Sequence, residues 1–243
     1  MTDKAIFLGM SGAKSALAKL AIMTNNLANV NTTGFRADYE SVKQHPVGSG
    51  ETRVFSTISD SYTNFHPGPV INTGRDLDLA ISGKGFFAVQ GQNGQEAYTR
   101  AGDLQVVNGN LVTRTGSVVL GNGGVINIPA AERLVIGDDG TVSVLLAGQH
   151  EMELIDRVKL VNPDTAKLTK GTDGLFYLTG GQNLKPDESI KLVHGAIESS
   201  NVNAIETLVN LVDLSRSFEV HTNLMKTMQE NAGKSNQILA LQE

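Results

Sequence analysis

Apolar and polar residues alternate in two different ways along this chain. From Ala5 to Val30 they follow a helix: Ile6, Met10, Ala13, Leu17, Leu20 and Leu27 recur at steps of four and three, with polar Thr24 in the one open place. No proline interrupts this stretch, and no glycine follows Gly12. Such a heptad stripe covers about one face of a helix. The run Asn29-Val30-Asn31-Thr32-Thr33-Gly34 supplies cap and turn residues that end it. The pattern returns from about Asn203 to Leu241, where Leu211, Leu214, Phe218, His221, Met225, Met228, Ala232, Ser235 and Leu239 again step by three and four, His221 and Ser235 being its weak points. Ser199, Ser200 and Asn201 are candidate N-caps, and Glu206 stands three residues beyond Asn203, as a capping box prefers.

Between the two stripes the period shortens. Leu77 to Ile81, Gly85 to Gln90, Leu104 to Val107, Leu111 to Thr113, Ser117 to Leu120, Val125 to Ile128, Arg133 to Ile136, Thr141 to Leu146, Asp156 to Val161, Leu175 to Leu178 and Ile190 to Gly195 read as short strands. Asn108-Gly109-Asn110 and Asp138-Asp139-Gly140 supply the residues that hairpin turns with positive φ require. Many short strands at regular spacing predict an antiparallel β body. Arg36 to Tyr62 has no firm pattern and reads as an extended connector. The expected fold is therefore α+β: a mainly β body, residues 63–197, flanked by N- and C-terminal helices. Those helices, within residues 1–36 and 198–243, form a discontinuous helical domain, and residues 37–62 connect it to the body. A long helix with one apolar stripe needs a partner along its length. Either the two pair as a coiled coil, or each meets the same helices in other copies.

Composition narrows the function more than the fold. With 243 residues, 40% hydrophobic and 19% charged, the chain can bury a real core. A net charge of −5 argues against nucleic acid as a partner, since phosphate binding needs a basic face. No apolar run is long enough to span a bilayer, and Met1 to Leu20 lacks the uninterrupted apolar centre of a cleaved signal. With no cysteine, disulfides, thiol catalysis and cysteine-ligated zinc are excluded. Gly83-Lys84-Gly85-Phe86-Phe87-Ala88 mimics a dinucleotide fingerprint but runs on into a strand where that motif needs a helix. Gly9-Met10-Ser11-Gly12-Ala13-Lys14-Ser15 approaches a phosphate loop without a strand before it. The histidines His45, His66, His150, His194 and His221 show no ligand spacing, and Asp138-Asp139-Gly140 lacks the alternating oxygens of a calcium loop. No catalytic, cofactor-binding or metal-binding residue is expected, and no cofactor or small-molecule substrate.

Four motifs remain. The first is Asn25-Asn26-Leu27-Ala28-Asn29-Val30-Asn31-Thr32-Thr33-Gly34-Phe35-Arg36: a helix end, an asparagine-rich exit, a glycine turn, an aromatic anchor and a cation. The second is Asp76-Leu77-Asp78-Leu79-Ala80-Ile81-Ser82-Gly83-Lys84-Gly85-Phe86-Phe87-Ala88-Val89, and the third Tyr98-Thr99-Arg100-Ala101-Gly102. The fourth is Gly195-Ala196-Ile197-Glu198-Ser199-Ser200-Asn201-Val202-Asn203. In this order they resemble the signatures of the bacterial flagellar rod and hook proteins; Val30 stands where alanine or serine is common in those.

The resemblance implies a structural subunit of the basal-body rod, not an enzyme, placed in the proximal rod, with a distal rod or hook-type position as the alternative. It implies export through the flagellar type III apparatus and helical assembly in the periplasm, with other rod proteins and copies of itself as partners and no insertion into membrane. Ile6, Met10, Leu17, Leu20, Leu27, Leu211, Leu214, Phe218, Met225, Met228 and Leu239 would then carry the subunit contacts, and Asn25, Asn26, Leu27, Ala28, Asn29, Asn31, Thr32, Gly34 and Phe35 the family signature. The residues alone leave two other classes open: a β-solenoid or β-barrel enzyme with a site assembled from loops, and a secreted β-rich binding module with helical oligomerisation arms.

Overall fold

The structure, a computed structural model, describes residues 2–46 and 54–240, with side chains over 9–41, 61–231, 233 and 234. It is mostly antiparallel β with a long helix at each end, and it divides into two units. The first comprises Met1–Val30, Ala37–Asn64 and Val202–Glu243, and the second Asn31–Arg36 and Phe65–Asn201.

The first unit contains helix α1 (Thr2–Ala28), strands β1 (Asp38–Pro46) and β2 (Val54–Thr63), and helix α2 (Ala204–Ala240). α1 lies against α2 and runs antiparallel to it: a Cβ on Gly9 would stand 2.8 Å from Met225 Cγ, and one on Gly12 2.6 Å from the His221 ring. Leu211, Leu214, Phe218, His221, Met225 and Met228 are all half-buried, so the α2 stripe is one face of the helix as its spacing predicts.

The α1 stripe is rotated from the one expected. Ala13 and Ala16 are buried, and Leu20 and Leu27 half-buried, but Met10 and Leu17 are 53% and 48% exposed. Apolar bulk is a poor guide here because the inner face is built from small residues. Gly9, Gly12, Ala13 and Ala16 let the α2 backbone come close, and larger side chains there would hold the helices apart. The side chains of Ile6, Ala232, Ser235 and Leu239 lie outside the described residues.

Residues 37–62, expected to be an extended connector, instead form an antiparallel hairpin, with Asp38 opposite Thr63 and Pro46 opposite Val54. Its strands are rich in charged and hydroxyl side chains, so no hydrophobic alternation announced it. Backbone pairing and a clamp from α1 hold its base. Asn26, buried on α1, donates from Nδ2 to Asp38 O at 2.8 Å and accepts from Asp38 N at 3.0 Å. Thr63 Oγ1 donates to Asp38 Oδ1 at 2.7 Å, and Tyr39 stacks on Tyr62 with ring centroids 5.9 Å apart. α2 starts at Asn203, whose Oδ1 accepts from Ile205 N at 3.1 Å and Glu206 N at 3.3 Å; this is the capping side of the predicted box.

The second unit is the β body. Its strands are β3 (Val70–Asn72), β4 (Leu79–Ser82), β5 (Phe86–Gln90), β6 (Glu96–Thr99), β7 (Leu104–Val107), β8 (Asn110–Thr113), β9 (Val118–Gly121) and β10 (Gly124–Val125). There follow β11 (Ala131–Ile136), β12 (Thr141–Leu146), β13 (Glu153–Arg157), β14 (Leu160–Val161), β15 (Leu168–Lys170), β16 (Phe176–Leu178), β17 (Lys191–His194) and β18 (Ala196–Glu198). The main sheet has nine strands, in the order β15-β16-β6-β5-β9-β8-β7, with β10 on β9 and β14 on β5. β11-β12-β13 form a three-stranded sheet, and β17-β4 and β18-β3 are separate pairs.

β5 sits at the centre. Phe87 and Val89 point into one apolar cluster with Leu79, Leu104 and Val119, while Phe86 and Ala88 point into a second with Tyr98, Val161 and Phe176. A strand buried on both faces reads as a continuous apolar run, as Phe86-Phe87-Ala88-Val89 does. Asp156 to Val161, expected as one strand, breaks at Val158 because the chain changes partner: β13 pairs with β12, whereas Lys159 N donates to Leu120 O at 2.9 Å and β14 pairs with β5. Val125 to Ile128 likewise shortens to β10, with Asn127 making only a bridge to Asn110. The predicted turn at 108–110 has positive φ at Asn108 (52°) and Gly109 (80°), as a two-residue hairpin of this kind needs. Gly83 and Gly85 make a tight turn between β4 and β5, and Gly9 to Ser15 is interior to α1, so neither near-motif forms a phosphate cradle.

Candidate functional site

The sequence motifs that lie far apart in the chain meet in the second unit, around one carboxylate. β18 pairs with β3 and carries Glu198 inward, with its side chain 2% exposed. Arg36, just beyond the glycine turn, donates from Nη2 to Glu198 Oε1 at 2.5 Å with none of its side chain exposed. Gly68 N donates to the same oxygen at 3.0 Å. Arg100, which follows β6, donates from Nη1 to Glu198 Oε2 at 3.1 Å, and from Nη2 to Gly83 O at 2.5 Å. Its guanidinium carbon stands 5.4 Å from the Phe86 ring centroid.

Burial dominates the electrostatics. It pushes the Arg100 pKa down; the Glu198 charge opposes this, and neighbouring Arg36 reinforces it. Two guanidinium groups share one carboxylate, so the cluster depends on that carboxylate. Arg36 Nε and Nη1 and Arg100 Nε find no hydrogen-bond acceptor among the described residues, which raises the stakes of the bonds that are made. Buried pairs of this kind are costly to build and costlier to break, because removing one partner strands the other charge away from water.

The backbone around the cluster is equally constrained. Gly34, at φ 68°, lies on the Arg100–Ala101 peptide: a Cβ there would be 2.3 Å from Arg100 C. Gly34 N donates to Glu198 O at 2.7 Å, and Asn201 N donates to Phe35 O at 3.3 Å. Phe35 is buried under Lys170, whose ammonium stands 3.9 Å from the ring centroid and also donates to Arg36 O at 2.7 Å. Gly102 admits the Leu79 carbonyl, which would lie 1.8 Å from any Cβ there.

The signature residues thus divide their work. Asn26 clamps the hairpin in the first unit, Gly34 and Phe35 belong to the junction in the second, and Leu27, Asn29 and Thr32 are half-buried nearby in sequence. Asn25, Ala28 and Asn31 are exposed. Of the expected contact residues, Met10 and Leu17 face outward, while Leu20, Leu27, Leu211, Leu214, Phe218, Met225 and Met228 are half-buried. Arg100 and Glu198 stand inside the third and fourth motifs without a role assigned to them there. The available signal was a charged residue at the end of an otherwise apolar strand. Among the described residues no group of three or more His, Asp or Glu could hold a metal ion, and no helix is long and apolar enough to cross a membrane.

The class so defined is a β body with helical ends, in which the segment leaving the first helix and the segment leading to the last are tied together by a buried charge cluster. Comparison with known proteins gives that class its name. Three family models match: flagella basal body rod protein over residues 8–36, flagellar hook protein FlgE/F/G D1 domain over 80–144, and flagellar basal body rod FlgEFG protein C-terminal over 193–238. The flagellar basal-body rod protein FlgF of Salmonella typhimurium is 34% identical, with 98% of this chain and 99% of the relative covered. FlgF of Escherichia coli K12 is also 34% identical, over the same shares. FlgG of Buchnera aphidicola subsp. Acyrthosiphon pisum is 28% identical, covering 96% of this chain and 98% of the relative. The chain belongs to the flagellar basal-body rod protein family.

Proposed function

We propose that this chain is a non-catalytic structural subunit of the proximal part of the flagellar basal-body rod, exported through the flagellar type III apparatus and assembled in the periplasm with other rod proteins and with copies of itself. α1 and α2 act together as the assembly module, pairing in coiled-coil manner. The hairpin β1–β2 belongs with that module, because Asn26 of α1 holds its base. The half-buried stripe of Leu211, Leu214, Phe218, Met225 and Met228 serves by keeping the helix pair together, and exposed Met10 and Leu17 are open to neighbours.

The observation that carries this reading is the junction at Glu198. The segment that follows α1 and the segment that precedes α2 are held by one buried cluster, which fixes within the β body the two points where the chain enters and leaves it. The test is to place an epitope tag in an exposed loop of the β body, complement a strain lacking the gene, and isolate basal bodies. The tagged chain should be retained in them and motility restored. A chain that restores motility yet is absent from isolated basal bodies overturns the reading.

A further inference from the structure

Three asparagines of the β body are each followed by glycine: Asn93-Gly94, Asn108-Gly109 and Asn122-Gly123. In such a pair no Cβ hinders the backbone nitrogen as it approaches the side-chain amide before it. All three pairs sit at hairpin turns with the asparagine exposed, but the fold treats them differently. Gly94 N donates to Gly91 O at 3.0 Å, in a turn closed again by Gly91 N on Gln95 O at 2.8 Å. Asn108 is held at φ 52° between Val107 and Asn110, which face each other in the ladder, and Ile128 N donates to Gly109 O at 2.6 Å. Swinging either of these peptides breaks backbone bonds.

The third pair is looser. Asn122-Gly123 joins β9 to β10, a strand of two residues that faces β9 at Gly121–Gly124 and Leu120–Val125. A second glycine follows, at φ 119°, and a Cβ on Gly124 would meet nothing within 4 Å. Gly123 N is turned toward a carboxylate, donating to Asp156 Oδ2 at 3.4 Å, a long bond. Asp156 is itself fixed, because its Oδ1 accepts from Arg157 N at 2.7 Å. Asn122 N donates to Arg157 O at 2.9 Å, which keeps the turn beside that carboxylate. A backbone nitrogen with room to move, an exposed side-chain amide and a proton acceptor are thus brought together.

We propose that Asn122 is a self-modifying site, converted without an enzyme to aspartate and isoaspartate, with Asp156 as the proton acceptor. Gly123 N bonds to Asn122 Cγ and, becoming acidic as that bond forms, gives its proton to Asp156 Oδ2. The Cγ–Nδ2 bond breaks, the proton passes to the leaving nitrogen, and ammonia departs from a cyclic imide. Water opens the ring at either carbonyl carbon and restores the Gly123 N–H. One water is taken up and one ammonia released, with nothing oxidised or reduced. Opening at the main-chain carbonyl reroutes the backbone through Cβ and Cγ, which lengthens the turn and shifts Gly124 out of register with Gly121. Either product sets a new carboxylate near Asp156. The site does not depend on the assembly reading above.

The test ages the full-length folded chain at neutral pH beside a sample unfolded in urea, and then cuts both with trypsin. Cleavage after Lys84, Arg100, Arg114 and Arg133 puts the three pairs on separate peptides, 85–100, 101–114 and 115–133. Mass spectrometry reads the replacement of NH by O, and electron-transfer fragmentation tells isoaspartate from aspartate. In urea the three asparagines should convert at similar rates. In the folded chain Asn122 should keep its rate or exceed it, while Asn93 and Asn108 fall behind by roughly fivefold or more, the factor that one backbone hydrogen bond is worth. Asp156→Asn should slow conversion at Asn122 several-fold in the folded chain and leave the rate in urea unchanged. Equal folded-state rates at the three sites, or faster conversion at Asn93 or Asn108, overturn the proposal. So does an Asp156→Asn chain with the parent's circular dichroism that converts Asn122 at the parent's rate or faster. Should that variant fail to fold, the comparison among the three peptides of the parent chain decides alone.

Discussion

Glu198 and Arg36 are 162 positions apart in sequence and joined by a 2.5 Å hydrogen bond from which water is excluded. One residue closes the first motif of the chain and the other opens the last helix-leading segment. Glu198→Gln keeps the shape of the side chain and removes the carboxylate that faces both guanidinium groups. Stranding a buried charge costs roughly 3–5 kcal/mol. The variant should therefore unfold at a clearly lower denaturant concentration than the parent, measured by tryptophan-free probes such as circular dichroism. A midpoint within error of the parent would mean that the cluster is solvated in solution.

Two glycines with nearly the same backbone separate conformational strain from crowding. Gly34 and Gly74 have φ of 68° and 71°, but a Cβ on Gly34 would meet the Arg100 carbonyl carbon at 2.3 Å, while one on Gly74 would meet nothing within 4 Å. Gly74→Ala should cost only the left-handed penalty of about 1–2 kcal/mol. Gly34→Ala adds displacement of the Arg100–Ala101 peptide, for a further 1–3 kcal/mol or so. Equal losses on denaturant titration would show that the loop at Gly34 moves aside freely.

Acid should act on the turn between β11 and β12. The Thr141 hydroxyl donates to Asp139 Oδ1 at 2.6 Å, the Thr141 amide donates to the same oxygen at 3.1 Å, and Arg157 reaches Oδ2. In that order of weight, these hold the Asp139 carboxyl far below the usual carboxylate range. A carboxyl depressed in the folded state stabilises it above the unfolded value of about 3.9 and loses that contribution as pH falls toward the folded value. Asp139→Asn should therefore be less stable than the parent at neutral pH, with the gap closing as the pH is taken below 4 or so. A gap that is constant from neutral to acid pH would contradict the assignment.

Phe218 tests the inner stripe. By helical spacing it shares a face with His221 and Met225, which lie against α1. Phe218→Asp places a carboxylate on that face at a cost of roughly 2 kcal/mol or more. The helical signal at 222 nm should melt earlier and protease should attack α2 sooner, while the β body resists as before. Retention in basal bodies should also be lost. Unchanged helix melting together with lost retention would show instead that Phe218 meets a neighbouring subunit.

The helices and most of the β body were legible because each rests on a repeating local signal. Leu104 to Val107 and Thr141 to Leu146 are strands with the limits their alternation predicts, and the α2 stripe is one face over its described length. The hairpin at 38–63 escaped because hydrogen bonds to Asn26 and cross-strand backbone pairing hold it, and neither leaves a hydrophobic period. The expected α1 stripe shares Ala13, Leu20 and Leu27 with the buried face, but close approach selects Gly9, Gly12 and Ala16 there over the larger Met10 and Leu17. The junction was readable only in outline. Motif order said that residues near 36, 100 and 198 mattered, but three-dimensional closure decided that Arg36, Arg100 and Glu198 share one pocket of charge.

The crossed backbone bonds at that junction have a mechanical consequence. Gly34 N is bound to Glu198 O, and Asn201 N to Phe35 O, so the segments 31–36 and 198–201 are pinned to each other at two points besides the side-chain cluster. A joint pinned once can swivel; one pinned at several points off a common axis resists twist as well as tension. Torque delivered through either segment is shared with the other before it reaches the sheets, and slipping one means shearing both. Within the β body, the two segments behave as a keyed pair.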